Sequence, residues 1–248
     1  VRLDRALVER GLARSRGQAA EAISEGRVTV NDVAARRSAQ AVAADDRIEL
    51  AGADHYVSRA AHKLAAALAA SGVVVPPRVL DAGASTGGFT QVLLESGARR
   101  VYAVDVGHGQ LAEPLRSDPR VVVRERLNLR DLTVADLDGE PVDLVVGDVS
   151  FISLTLLLAP LFDVLTADGG ALLLVKPQFE VGRSGLDDRG VVRDPRLRER
   201  AVAGVVEAAD RLGWRLAWRG DSGLPGEAGN REYFVHFVPA AHGVGGAG

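Results

Sequence analysis

Cysteine and methionine are both missing from this chain of 248 residues, and aromatic residues make up only 4% of it. Without a thiol there is no disulfide, no thiolate metal site and no cysteine nucleophile. Long apolar runs are missing too. The longest, Leu154 to Leu165, is broken by Pro160 and Asp163 and falls short of the roughly 20 residues that cross a bilayer. No signal-type apolar segment opens the chain, because Val1-Arg2-Leu3-Asp4-Arg5 leads into an amphipathic pattern. A cytoplasmic protein with no membrane role is therefore expected. Neither charge sign dominates, with 30 Lys or Arg against 33 Asp or Glu. The hydrophobic share of 47% and charged share of 25% describe a soluble globular chain, long enough for one catalytic domain and a small module. His55, His62, His108, His236 and His242 show no metal-like spacing, so no metal site is expected.

Glycine, by contrast, is placed with purpose. Val79-Leu80-Asp81-Ala82 reads as a buried strand that runs into Gly83-Ala84-Ser85-Thr86-Gly87-Gly88-Phe89 and then a helix, an arrangement that holds nucleotide-like cofactors. A dinucleotide fingerprint would need G-x-G-x-x-G, and Ser85 stands at the second glycine position, so NAD is the weaker reading. A second strand, Arg100 to Val104, ends on Asp105, where an acidic residue accepts hydrogen bonds from a cofactor ribose.

The first fifty residues have another character. Leu3, Leu7 and Val8 form a helical stripe that stops at Gly11. Ser15-Arg16-Gly17-Gln18 has the form of a capping box before a second helix, which stops at Gly26. Arg27 to Asn31 and Arg47 to Leu50 then alternate as strands. The spacing R-L-D-x-x-L-V-x-x-G-L-A-x-S-R-x-x-A…G-x-V-x-V-N over Arg2 to Leu50 resembles the small RNA-binding domain first recognised in the fourth small-subunit ribosomal protein. Arg5, Arg14, Arg16, Arg27, Arg36 and Arg37 are its candidate phosphate contacts. Charge supports this mildly: through Lys63 there are 11 Lys or Arg against 9 Asp or Glu, and beyond it 19 against 24.

Downstream, strands expected at 78–81, 100–104, 121–124, 142–147, 170–175, 214–219 and 231–238 alternate with helices, which means a mostly parallel seven-stranded sheet with helices on both faces. The predicted organisation is a small α+β domain over 1–52, a linker over 53–58, an α/β Rossmann-like domain over 59–239 and a disordered tail over 240–248. Ligands belong at the carboxyl ends of such strands. Asp148 follows the fourth strand, Lys176 follows the fifth, Glu232 opens the last at the expected sheet edge, and Lys63 stands on the helix Arg59 to Ala70 that enters the domain.

The pattern D-x-G-x-x-x-G-G-F from Asp81 resembles the S-adenosylmethionine (AdoMet) motif of ribose methyltransferases, and Lys63, Asp148, Lys176 and Glu232 resemble the Lys-Asp-Lys-Glu tetrad of FtsJ-like 2′-O-methyltransferases. With Ser58-Arg59-Ala60-Ala61-His62-Lys63-Leu64 and Val175-Lys176-Pro177-Gln178-Phe179-Glu180, residues 2 to 238 are similar to the TlyA family of rRNA methyltransferases. That resemblance implies a class I methyltransferase using AdoMet on a cytidine ribose of ribosomal RNA or ribosomal subunits, with a link to capreomycin-type antibiotic sensitivity.

The implied cofactor contacts are Asp81, Gly83, Ser85, Thr86, Gly87, Gly88, Asp105, Asn128 and Asp148, with Asn128 and Asp131 on the adenine side. Lys176 is the expected base, oriented by Asp148, with Lys63 and Glu232 positioning the ribose. An ammonium cannot take a proton, so a lysine base must first be neutral, a state favoured by burial or by a neighbouring cation such as Lys63.

Absences narrow the class further. The missing cysteine removes cytosine-5 methylation, and Asp148-Val149-Ser150-Phe151 lacks the Asp/Asn-Pro-Pro-aromatic motif of amino methyltransferases. The rival readings are a haemolysin or pore-forming protein, a name carried by relatives, and a non-catalytic RNA-binding protein. Trp214 and Trp218, four apart on a strand, are expected to pack on one face, and the loop Gly182 to Gly190 to close over RNA.

Overall fold

The computed structural model describes residues 1–13, 15–50, 55–226 and 228–240. The chain divides into two compact units, Val1–His55 and Tyr56–Gly248. Arg14, residues 51–54 of the connector region and the tail beyond Ala240 lie outside the described residues.

In the first unit α1 (Leu3–Glu9) is followed by Gly11 at φ 70°, the left-handed conformation that ends helices. The second helix, α2 (Arg16–Ser24), begins where Ser15 Oγ accepts the Gln18 N–H at 3.2 Å. Three strands, β1 (Val28–Val30), β2 (Val33–Ala34) and β3 (Ile48–Leu50), form an antiparallel sheet in the order β2-β1-β3. Asn31 belongs to a turn and not to the strand: it and Asp32 both take positive φ, which matches the twist of a two-residue hairpin and creates β2, an unexpected strand. Leu3, Leu7, Ile23 and Val28 fill the core. Asp4 is buried at its margin and bound by Arg2 at 2.9 Å and Arg16 at 3.0 Å. The Arg2 hydrogen bond, reinforced by Arg16, holds this carboxyl well below the usual carboxylate range.

The second unit opens with α3 (Ala60–Ser71) and continues through β4 (Arg78–Ala82), α4 (Gly88–Glu95), β5 (Arg100–Asp105), α5 (Glu113–Arg116), β6 (Val121–Glu125), β7 (Val142–Gly147), α6 (Leu158–Asp163), β8 (Leu165–Val175), α7 (Pro195–Arg211), β9 (Trp214–Asp221) and β10 (Tyr233–Pro239). Strand order is β6-β5-β4-β7-β8-β10-β9, parallel except for β10, which runs antiparallel to both neighbours. Connections run outward from β4 in one direction and from β7 in the other, so the order reverses between β4 and β7, where open α/β sheets bind ligands.

Alternation along the central strands sorts the core into two clusters, one per face. Leu80, Tyr102, Val145, Leu173 and Val235 lie on one, and Val79, Val101, Leu144, Leu172 and Phe234 on the other. Among the described residues no helix is long and apolar enough to cross a membrane.

Trp214 and Trp218 do not share a face, contrary to expectation. The pairing of β9 with β10 slips between His236 and Phe237, so His236 faces Trp218 while Phe237 faces Leu216, leaving Ala217 as an extra residue. That bulge reverses the alternation. Trp214 stacks on Phe162 at 4.3 Å in one cluster, while Trp218 packs against the other.

Gly88 is required by packing. A Cβ there would overlap Ser58 Oγ and lie 3.0 Å from the backbone nitrogen of Ala61, where α3 crosses α4. Gly204, within α7, has nothing within 4 Å of the same position. Gly88→Ala should therefore destabilise the protein by about 1–3 kcal/mol through overpacking. Gly204→Ala should stabilise it by about 0.5–1 kcal/mol through helix propensity. Urea unfolding of both variants checks the opposite signs.

Candidate active site

The crevice at the β4–β7 switch point holds a cavity of about 330 Å³, lined by Gly83 and Ser85, by Asp105 to Gly107 and Gln110, and by Asp148 to Phe151. Gly83, at φ 85°, shapes its floor: a Cβ would come within 3.0 Å of the Asp148 carbonyl oxygen. Asp105 ends β5 with both oxygens engaged, Oδ2 accepting the Ser85 N–H at 2.8 Å and Oδ1 the Gly107 N–H at 2.7 Å. The carboxylate thereby ties the glycine-rich turn to the loop after its own strand.

Asp81 lies beneath this turn, fully buried. Its Oδ2 accepts the Thr90 hydroxyl at 2.6 Å, and Oδ1 has no hydrogen-bond partner. Burial pushes its pKa up to about 7, aided by the nearby charges of Asp148 and Asp105 and opposed by Thr90.

The tetrad assembles as two ion pairs. Lys63 Nζ meets Glu232 Oε2 at 2.6 Å, both side chains being almost wholly buried. Gln178 Nε2 approaches the other Glu232 oxygen at 3.4 Å, and Gly226 packs so closely on that oxygen that a Cβ would overlap it. Lys176 Nζ lies 2.6 Å from Asp148 Oδ1 and donates a hydrogen bond to Ser150 Oγ at 2.7 Å. Each lysine thus has a carboxylate of its own; Lys63 is committed to Glu232 instead of acting as a bare cation beside Lys176. Glu232 is not at the sheet edge either. It precedes β10, which lies between β8 and β9, and the antiparallel run of β10 brings its start to the carboxyl end of β8.

Of the other expected contacts, Gly83, Ser85, Asp105 and Asp148 line the cavity. Thr86 offers its carbonyl to the Ala112 N–H, Gly87 makes room for Leu111 and Leu115, and Gly88 makes room for α3, so these three support the turn from behind. Asn128 caps a short 3₁₀ helix, Leu129–Asp131, by accepting the Arg130 N–H at 3.1 Å.

In the N-terminal unit Arg5 pairs with Glu9, Arg16 with Asp4 and Arg27 with Glu25. Arg36 and Arg37 are exposed, with no ion pair among the described residues, and Arg14 lies outside them.

Sequence reasoning missed Gln110, Ser150, Phe151, Gln178 and Glu180. All follow a strand-end residue that it had found, within a few positions, which was the available signal. Phe151 is 92% exposed at φ 65° and its ring meets Phe179 at 5.4 Å. Glu180 accepts the Ser153 hydroxyl at 2.6 Å and the Leu154 N–H at 2.7 Å, tying the loop after β8 to the loop after β7. Burial raises the Glu180 pKa against the pull of these donors.

This geometry, with its glycine-rich turn at the switch point and its paired lysines and carboxylates at the strand ends, is that of a methyltransferase of the FtsJ type. The FtsJ-like methyltransferase family model matches residues 56–238 and the S4 domain model matches residues 1–48. The 16S/23S rRNA (cytidine-2′-O)-methyltransferase TlyA of Mycobacterium tuberculosis is 51% identical over 94% of this chain and 88% of its own length. Hemolysin A of Brachyspira hyodysenteriae is 39% identical over 96% of this chain and 100% of its own length. The solved structure of a protein designated a hemolysin from Streptococcus thermophilus superposes with a TM-score of 0.77 at 36% identity, covering 97% of this chain and 89% of that one. The chain belongs to the TlyA family.

The Asp81 carboxyl supplies a pH test. Its unfolded counterpart titrates near pH 4, so between about 4 and about 7 the native chain holds a proton that the unfolded chain has lost. The stabilisation is complete below about pH 4 and disappears as pH rises to about 7. Relative to Asp81→Asn, wild type should be more stable at about pH 5 than at about pH 8 by urea unfolding. An unchanged difference between the two would refute the raised value.

Proposed function

We propose that this protein transfers a methyl group from AdoMet to the 2′-hydroxyl of a cytidine in ribosomal RNA. The observation that carries the reading is the pair of ion pairs, Lys63–Glu232 and Lys176–Asp148, with Asp148 in the lining of the cavity. The activity named for the Mycobacterium tuberculosis relative agrees with it.

The residues fit AdoMet. Gly83 leaves the crevice floor free of a side chain, Asp105 stands at its lip with lone pairs to spare for ribose hydroxyls, and Asp148 adds a second carboxylate to the lining, which suits a cation. When bound, AdoMet supplies an electrophilic methyl on a sulfonium.

A ribose hydroxyl is a weak nucleophile, and the protein's part is to hold it in line and take its proton. Lys176, in its neutral form, receives that proton as base; Asp148 then faces the new ammonium at short range and stabilises it. Lys63 and Glu232 form a fixed, water-excluded charge pair that positions the ribose. Phe151 presents an exposed ring at the rim on which an unstacked base can lie. RNA affinity comes in part from the N-terminal unit, where Arg36 and Arg37 are the described candidates free to meet phosphate.

Arginine keeps the charge of lysine but cannot act as a base. Lys176→Arg should therefore keep AdoMet affinity, by calorimetry, within a few fold and lower single-turnover methylation of rRNA by about 100-fold or more. Near-normal turnover would remove Lys176 as the base. For the N-terminal unit, Arg36→Glu with Arg37→Glu should weaken RNA binding and reduce the slope of log affinity against log salt by about 1–2, with AdoMet binding unchanged. An unaltered slope would exclude phosphate contacts at these positions.

A further inference from the structure

Two groups lie against the Lys176 ammonium, and they act on it differently. Asp148 Oδ1 forms an ion pair with it at 2.6 Å and supplies the opposing charge. A hydrogen bond goes to Ser150 Oγ at 2.7 Å. Lysine ends in a freely rotating, four-carbon stem, and a base must aim one lone pair at one hydroxyl. A second, neutral acceptor beside the carboxylate restricts that rotation further.

Ser150 is itself held in place. It follows Asp148 by two residues on the turn after β7, lines the same cavity, and precedes Phe151, whose positive φ marks a tight and unfavourable backbone turn. From the far side, the bonds of Glu180 to Ser153 and Leu154 and the contact of Phe151 with Phe179 join this turn to the loop that carries Lys176. The turn that carries Ser150 and the loop that carries Lys176 are thereby tied to each other.

We propose that Ser150 is a positioning residue for methyl transfer, one that orients Lys176 toward the ribose hydroxyl. The inference rests on Lys176 acting as the base. Ser150 acts through Lys176, so its removal slows the chemical step and leaves ligand binding alone.

The test uses the full chain with Ser150→Ala, Ser150→Thr, Lys176→Arg and the Ser150→Ala/Lys176→Arg double variant. Single-turnover methylation is measured at saturating rRNA and AdoMet, and the affinity for each ligand separately. Ser150→Ala should lose about 10- to 100-fold in rate with both affinities within twofold, and Ser150→Thr, which keeps the hydroxyl, should recover most of the rate. In the Lys176→Arg background Ser150→Ala should cost nothing further.

A wild-type rate for Ser150→Ala beside an inactive Lys176→Arg overturns the role of Ser150 and spares the base. An active Lys176→Arg overturns both. A loss confined to RNA affinity overturns the proposal by making Ser150 a substrate contact, and a further loss in the double variant overturns it by making Ser150 independent of Lys176.

Discussion

The site depends on one close backbone approach. Because Gly83 has no side chain and adopts a positive φ, the turn after β4 can lie against the carbonyl of Asp148 at the end of β7, and the Asp148 N–H bonds back to the Ala82 carbonyl at 3.1 Å. A side chain at Gly83 would press on the carbonyl and could not take this backbone conformation without strain. From this contact the rest follows in order. The end of β7 fixes Asp148 and Ser150; these fix the Lys176 ammonium; and the parallel pairing of β7 with β8 carries Lys176 to the same level of the sheet.

The second ion pair is costly on its own terms. Lys63 and Glu232 are both nearly out of solvent, and taking two charges out of water costs several kcal/mol each before their attraction is counted. Well-packed apolar residues of similar size are often as stabilising as a buried ion pair. The placement of Gly226 over Glu232 and the reach of Gln178 toward it show that several elements are arranged around this carboxylate. Such an investment fits a role in positioning charge better than a role in stability. It also means that removing either partner strands a buried charge, so kinetic losses in Lys63 or Glu232 variants need a parallel measurement of folding.

Much of this was legible in the chain, because strands buried on both faces are written as apolar runs ending in polar residues. Asp105, Asp148 and Lys176 each end such a run, and their shared side of the sheet followed from the parallel order. Pairing was not legible. Which lysine meets which carboxylate depends on β10 lying between β8 and β9, a fact of tertiary order that local pattern does not carry. The Trp214 and Trp218 alternation failed for a related reason, since one extra residue at Ala217 reverses every side chain beyond it and leaves no mark in composition. Gly87 and Gly88 looked like ligand-facing glycines, yet the atoms they avoid belong to Leu111, Leu115, Ser58 and Ala61. Three of the N-terminal arginines turned out to be occupied by acids nearby in the chain, Glu9, Asp4 and Glu25. A motif match does not disclose such commitments.

Two carboxyl groups line the crevice and a third, Asp81, lies buried beneath it, and each manages its charge differently. Asp105 is satisfied by two backbone N–H groups, Asp148 faces an ammonium, and Asp81, held by Thr90 alone, retains its proton until about neutral pH. Burial raises the cost of ionising the least compensated member, and the nearby like charges add to that cost. A cation entering the crevice would relieve the smaller, repulsive part of what keeps Asp81 protonated, whereas an anion or a neutral ligand would not. The same arrangement gives a neutral by-product less electrostatic hold than a charged cofactor. Loss of the positive charge at sulfur on methyl transfer would therefore weaken binding at the step where the spent cofactor must leave.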